Sequence, residues 1–290
     1  MDLLLNLTAA GLIVGAVYAL LAMGFAVVYR ATGLLNFAQG DVMLLVAYTS
    51  YAVASAGQWG FVATLATALV TGVVVGVLLE FIFIRPMAGE SMFSKVMVTI
   101  ALAIMIRAAV VMVAGAEPLP MPRLLGSALL RVGPISLYAA QLATLGLTVL
   151  CCLATWMLFN HTRVGISMRA AACDEGAALL AGIAVRRVHA LAWAMAGLYA
   201  GLAGMGCALM FNVDPTLSSL GLRAFPAAIL GGLDSVLGSA LGGLLIGLLE
   251  SYAGGYLGRG MKDVIGFAMI VVVLMVKPYG LFGVRRIERV

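Results

Sequence analysis

Apolar residues run along this chain in long unbroken stretches, and polar ones gather in the short gaps between them. Residues 3–29, 42–79, 132–160 and 190–213 contain no Asp, Glu, Lys or Arg. A helix across the hydrocarbon core of a bilayer needs about 20 apolar residues, and each of these runs can supply one. The strands of a membrane barrel would alternate apolar and polar with period two. Continuous runs fit helices instead, because a helix satisfies its own backbone polar groups in lipid. The predicted spans are 3–29, 41–56, 61–83, 96–114, 134–159 and 188–211, an interrupted pair within 223–255, and 262–279. The expected fold class is all-α, a polytopic transmembrane helical bundle with interrupted helices. Residues 1–290 are expected to form one transmembrane domain.

Composition agrees. Hydrophobic residues make up 64% of the chain and charged ones 10%, too few charges for a solvated surface. The net charge of +5 does not point to nucleic acid, because basic residues of membrane chains collect in cytoplasmic loops. With the N-terminus outside, the inside set is Arg30, Arg85, Lys95, Arg163, Arg169, Arg186, Arg187, Arg285, Arg286 and Arg289, with Lys277 near the inner end of the last span. The outside set is smaller: Arg123, Arg131, Arg223, Arg259 and Lys262. The asymmetry favours N-outside, C-inside, provided that 223–255 enters and leaves on one face. Trp156 and Trp193 then fall near inner span ends, where amphipathic indoles prefer to sit. The first apolar run has no basic stretch before it and no cleavage site after a short core, so it reads as a retained span.

The interruptions carry the candidate chemistry. Asn36, Phe37, Gln39, Gly40 and Asp41 follow directly on the first long apolar run. Polar side chains at membrane depth are costly unless they face protein or a watery cavity. A helix broken there offers backbone amides and a dipole end to a polar solute; an ordinary turn between spans explains the same residues. A second interruption contains Pro226, Gly231, Gly232, Asp234 and Ser235, and the proline and glycine pair are expected to split this stretch into two short pieces. One interrupted segment in each half is the pattern of transporters built from repeats, and both segments are candidates for lining a translocation pathway. Arg107 lies inside a span near its outer end and is expected to snorkel. Glu80 and Asp263 read as interfacial. The pairs Gly11/Gly15, Gly72/Gly76, Gly197/Gly201, Gly238/Gly242 and Gly243/Gly247 predict close helix contacts.

The loop 163–187 is a third constellation. Asp174 can cap a helix, Glu175 suits its positive first turn, and Gly182 can close it. Gly176, Ala177 and Leu180 lie between. So short a helix is poorly stable alone. It either docks in a groove of a soluble partner or lies back on its own bundle.

Other chemistries find no purchase. No lysine follows a glycine, so there is no Walker A loop. There is no HExxH and no GxSxG, and neither histidine has a metal-ligand companion at i+4. No cofactor is expected. The four cysteines, Cys151, Cys152, Cys173 and Cys207, form no C-x-x-C and read as small buried side chains.

Several stretches, in order through nearly the whole length, resemble the permease subunits of branched-chain amino-acid ABC importers, the LivH-like family. They are 18–24 (YALLAMG), 35–41 (LNFAQGD), 163–169 (RVGISMR), 180–183 (LAGI), 227–232 (AAILGG) and Lys262-Asp263. The resemblance implies an ABC importer permease fold in a bacterial inner membrane and no enzyme activity of the chain's own. It also implies four kinds of association: a second homologous permease subunit, two cytosolic ATPase subunits, an external solute-binding protein and the lipid bilayer. The 174–182 segment would be the helix that enters an ATPase cleft. The family often has His where Gln39 stands and Glu where Asp41 stands. Urea, short-chain amide and other amino-acid permeases share the framework, and an autonomous secondary transporter or channel is a further alternative.

Overall fold

The computed structural model describes residues 2–57, 59–126, 129–132, 135–258 and 260–283. Arg259, Arg285, Arg286 and Arg289 of the charge argument lie outside the described residues, as do the side chains of Arg131 and Asp263. The long helices are α1 (Asp2–Thr32), α2 (Gln39–Ser55), α3 (Phe61–Leu79), α4 (Met92–Ala114) and α5 (Ala139–His161). After a cluster of two short helices, α6 (Arg163–Cys173) and α7 (Glu175–Leu180), come α8 (Val185–Met210), α9 (Ser219–Gly231), α10 (Val236–Tyr256) and α11 (Met261–Val276). Among the described residues six helical segments are long and apolar enough to cross a membrane, and the fold is that of a multi-pass membrane protein.

Small residues set the layout. Gly11 and Gly15 of α1 lie against the backbone of Gly243, Leu244, Gly247 and Leu248 of α10. Gly72 and Gly76 of α3 meet Trp193, Gly197 and Gly201 of α8 in the same way. Lipid gives no hydrophobic drive between helices, so such backbone approach supplies the dispersion contacts. α1 and α8 become the centre: 89% of the apolar window of α1 and 72% of that of α8 are enclosed, against 22% for α4. Apolar residues exposed on α3, α4 and α5 suit lipid as solvent.

Four local expectations are corrected. The span expected over 134–159 begins later: β1 (Leu129–Val132) pairs antiparallel with β2 (Ile135–Tyr138), and α5 starts after it. Pro226 lies inside α9 without ending it; the break falls at Gly232, whose φ of 101° suits glycine. With 21 residues, α10 is a full span, not a short piece. Trp193 is fully buried at the α3–α8 contact, so it packs helices together and does not anchor an interface.

Candidate functional site

The first interruption folds back into the bundle. Gly33, at φ 67°, turns the chain after α1. Gln39 then sits against Gly24, which leaves to the glutamine amide the space a side chain would fill. Gly24 lies eight residues before the end of α1, about 12 Å at 1.5 Å per residue. α2 therefore starts well inside the bundle. Its entry is held by hydrogen bonds: Gln39 Nε2 donates to the Ala196 carbonyl at 2.9 Å, Asn36 Nδ2 donates to Gln39 Oε1 at 3.4 Å, and the Ala38 amide donates to Asn36 Oδ1 at 3.1 Å. Asn36, Gln39 and Asp41 are all buried. Partners within the chain meet their desolvation cost.

Asp41 completes this shell. Arg107 Nε donates to its Oδ1 at 2.9 Å and Nη2 to its Oδ2 at 3.2 Å, a two-pronged pair. Arg107 thus ties α4 to the start of α2 and does not simply snorkel. Asp41 also lies in the first turn of α2, where the helix dipole favours a negative charge. Glu80 is buried too: Arg85 pairs with it at 2.8 Å across a π-helical turn that follows α3.

The second interruption meets the first. Gly40 at the start of α2 abuts Gly221 in the first turn of α9, backbone on backbone. Two helices, α2 and α9, therefore begin at one point inside the bundle, and both positive dipole ends converge there. Phe225 of α9 meets Phe25 edge to face and Phe37 at a tilt, with ring centroids 5.7 and 5.6 Å away. The structure thus brings Asn36, Phe37, Gln39, Gly40 and Asp41 to the beginning of α9. It does not bring them to Gly231, Gly232, Asp234 and Ser235, which form the turn into α10. There Ser235 Oγ caps α10 by accepting from the Gly238 amide at 3.1 Å, and Gly232 packs on Tyr279 and Gly283.

Sequence reasoning missed Glu250, an acid within α10 that is 2% exposed. The Tyr18 hydroxyl donates to its Oε2 at 2.8 Å, and Arg223 lies close to the same hydroxyl. The available signal was a lone charge in an otherwise uncharged span, a suspect by default.

The loop 163–187 is more helical than expected. α6 fills its first half, its start capped by Thr162 Oγ1 accepting from the Gly165 amide at 3.2 Å. α7 follows at once. Asp174 Oδ1 accepts from the Ala177 amide at 2.9 Å. Gly182, at φ 80°, closes the helix with the Ile183 amide donating to the Ala178 carbonyl at 2.9 Å. Asp174, Glu175, Gly176, Ala177 and Gly182 are exposed, and Ala178 alone within α7 packs inward. Leu180 is 93% exposed and Leu179 56%. Cys173 beside them is exposed as well, unlike the buried thiol expected.

Residues 7–274 match the family described as branched-chain amino acid transport system / permease component. This chain belongs to that family. The permease likeness runs nearly end to end. The chain is 30% identical over 295 residues to the high-affinity branched-chain amino acid transport system permease protein LivH of Escherichia coli, covering 97% of this chain and 96% of that one. It is 28% identical over 294 residues to the corresponding permease protein BraD of Pseudomonas aeruginosa, with the same coverage of 97% and 96%. Among solved structures, PsaBC from Streptococcus pneumoniae in complex with Fab shares the fold with a TM-score of 0.51 at 15% identity, over 93% of this chain and 91% of that one. As a permease component, the chain is a transport subunit.

Proposed function

We propose that this chain is one transmembrane subunit of an ATP-driven importer for branched-chain amino acids. It forms half of a translocation pathway with a second, homologous permease subunit. Two cytosolic ATPase subunits drive it and an external solute-binding protein delivers cargo. The whole chain acts as one permease domain in a bacterial inner membrane, N-terminus outside and C-terminus in the cytoplasm.

One observation carries the coupling reading: a capped helix of six residues, α7, holds Leu180 away from the rest of the chain. A large apolar side chain that is 93% exposed at a cation-rich end, outside any predicted span, has a groove of a soluble partner as its natural environment. ATP binding that draws two such knobs together biases a packing with two arrangements. The convergence of α2 and α9 at Gly40 and Gly221 supports placing the moving part there, with Asn36, Phe37, Gln39, Gly40 and Asp41 on one side. Gly231, Gly232, Asp234 and Ser235 belong to the pathway as the turn through which α9 and α10 move together. Near-full-length likeness to LivH and BraD supports the cargo class.

Leu180→Asp tests the coupling role. It should abolish uptake and cargo-stimulated ATP hydrolysis while leaving the chain in the membrane in normal amount. Unchanged coupling in that variant removes the docking role. Uptake of labelled leucine, isoleucine and valine, set against urea and short-chain amides, tests the cargo; transport of urea or amides alone would replace the amino acid.

A further inference from the structure

A cavity of about 300 Å³ lies apart from both α7 and the Asp41–Arg107 pair, bordered by α1, α9, the segment between α8 and α9, and the start of α11. Small-molecule sites run from about 300 to 1,000 Å³, so it holds one small solute. Its lining has two characters. Val14, Val17, Leu217 and Leu220 supply an aliphatic wall. Asp214, Arg223 and Lys262 supply charges of both signs. Tyr18 reaches it from α1 and is fixed by its hydrogen bond to the buried Glu250 carboxylate. Asp214 is itself held in place, its Oδ1 accepting from the Thr216 amide at 2.7 Å.

We infer that this cavity receives a free α-amino acid with an aliphatic side chain; the inference rests on the cargo class proposed above. The zwitterion is the ligand that meets every wall. Its carboxylate faces Lys262 on the positive side, with Arg223 adding to the potential there. Its ammonium faces Asp214. Its side chain covers the valines and leucines and leaves water. An anion without an ammonium would leave Asp214 uncompensated, a cation without a carboxylate would leave Lys262 so, and desolvating an uncompensated charge is costly. A neutral amide would leave both.

The assembled transporter provides the test. In a Cys173→Ser background, Ser219→Cys places a thiol on the cavity lining, and its reaction with a small methanethiosulfonate is timed in detergent-free membranes. Leucine and valine should slow the reaction several-fold, whereas leucinamide and 4-methylpentanoate at the same concentration should not. Adding Lys262→Gln should remove the protection, read as the ratio of rates with and without leucine in that variant. Leu220→Cys serves as a second reporter should Ser219→Cys fail to assemble. Equal protection by leucinamide, or none by leucine, overturns the site. Leucine uptake measured on the same membranes separates the two readings. Uptake without protection overturns the cavity alone, protection without uptake supports the cavity and counts against the importer, and neither overturns both.

Discussion

A carboxylate buried at membrane depth needs a partner, and Asp41 has one in Arg107. Asp41 is buried while Arg107 is about half-exposed; removing one member of a fully buried pair costs about 3–5 kcal/mol, so taking Arg107 from the buried carboxylate sets that figure as the upper end of the loss. Arg107→Ala should therefore lower the thermal unfolding midpoint of the purified protein markedly. Asp41→Asn combined with Arg107→Ala should recover much of that loss, since no lone carboxylate remains. Equal midpoints for the single and double variants would show that the pair is not what holds α4 to α2. The sequence names both residues, yet the pair was not legible in it: they are far apart in the chain, and only the return of α2 into the bundle brings them together. Glu250 was more legible than it was made to be. Its span has no other charge, and burial at such a place calls for a donor such as Tyr18.

At the level of helices, packing depends on glycine positions that admit no side chain. A methyl group at Gly243 would collide with the Ala19 backbone, and one at Gly247 with Gly15. Overpacking a tight contact costs about 1–3 kcal/mol. Gly243→Leu should force α1 and α10 apart and lower stability by at least that much, whereas Gly146→Leu, where nothing lies within 4 Å, should be tolerated. Heat-stability scans of both variants check this, and equal losses would refute it. These contacts were readable as spaced glycine pairs, because the spacing of four residues puts both on one helix face. Element boundaries were readable where caps exist, as at Asp174 and Gly182. α6 was not, because its residues lack an apolar run. Of the two breakers read for the second interruption, the glycine pair was right and Pro226 was not: Gly232 has the backbone that turns, while Pro226 is carried within α9.

For the molecule as a whole, the contacts order the ends of the helices. Asp234 lies near Arg30 at one end of α1, and Gly255 packs on Leu7 at the other. α9 thus runs toward the Arg30 end and α10 returns from it, which is the condition the charge argument required. With the N-terminus outside, Cys173 faces the cytoplasm. A membrane-impermeant maleimide should label it in inside-out vesicles and not in intact cells treated to admit reagent to the outer face, with Cys173→Ser as the blank. Labelling from the outer face would invert the proposed orientation. Fold class and span order were legible because lipid allows so few architectures. The meeting of two interrupted helices was not, since it is a contact between distant glycines.

That meeting has a mechanical consequence. Gly40 and Gly221 present bare main chain to each other, so nothing there interlocks like the teeth of a gear. At this one point a slip of α9 past α2 would meet no side chain. A single added methyl would act as a detent.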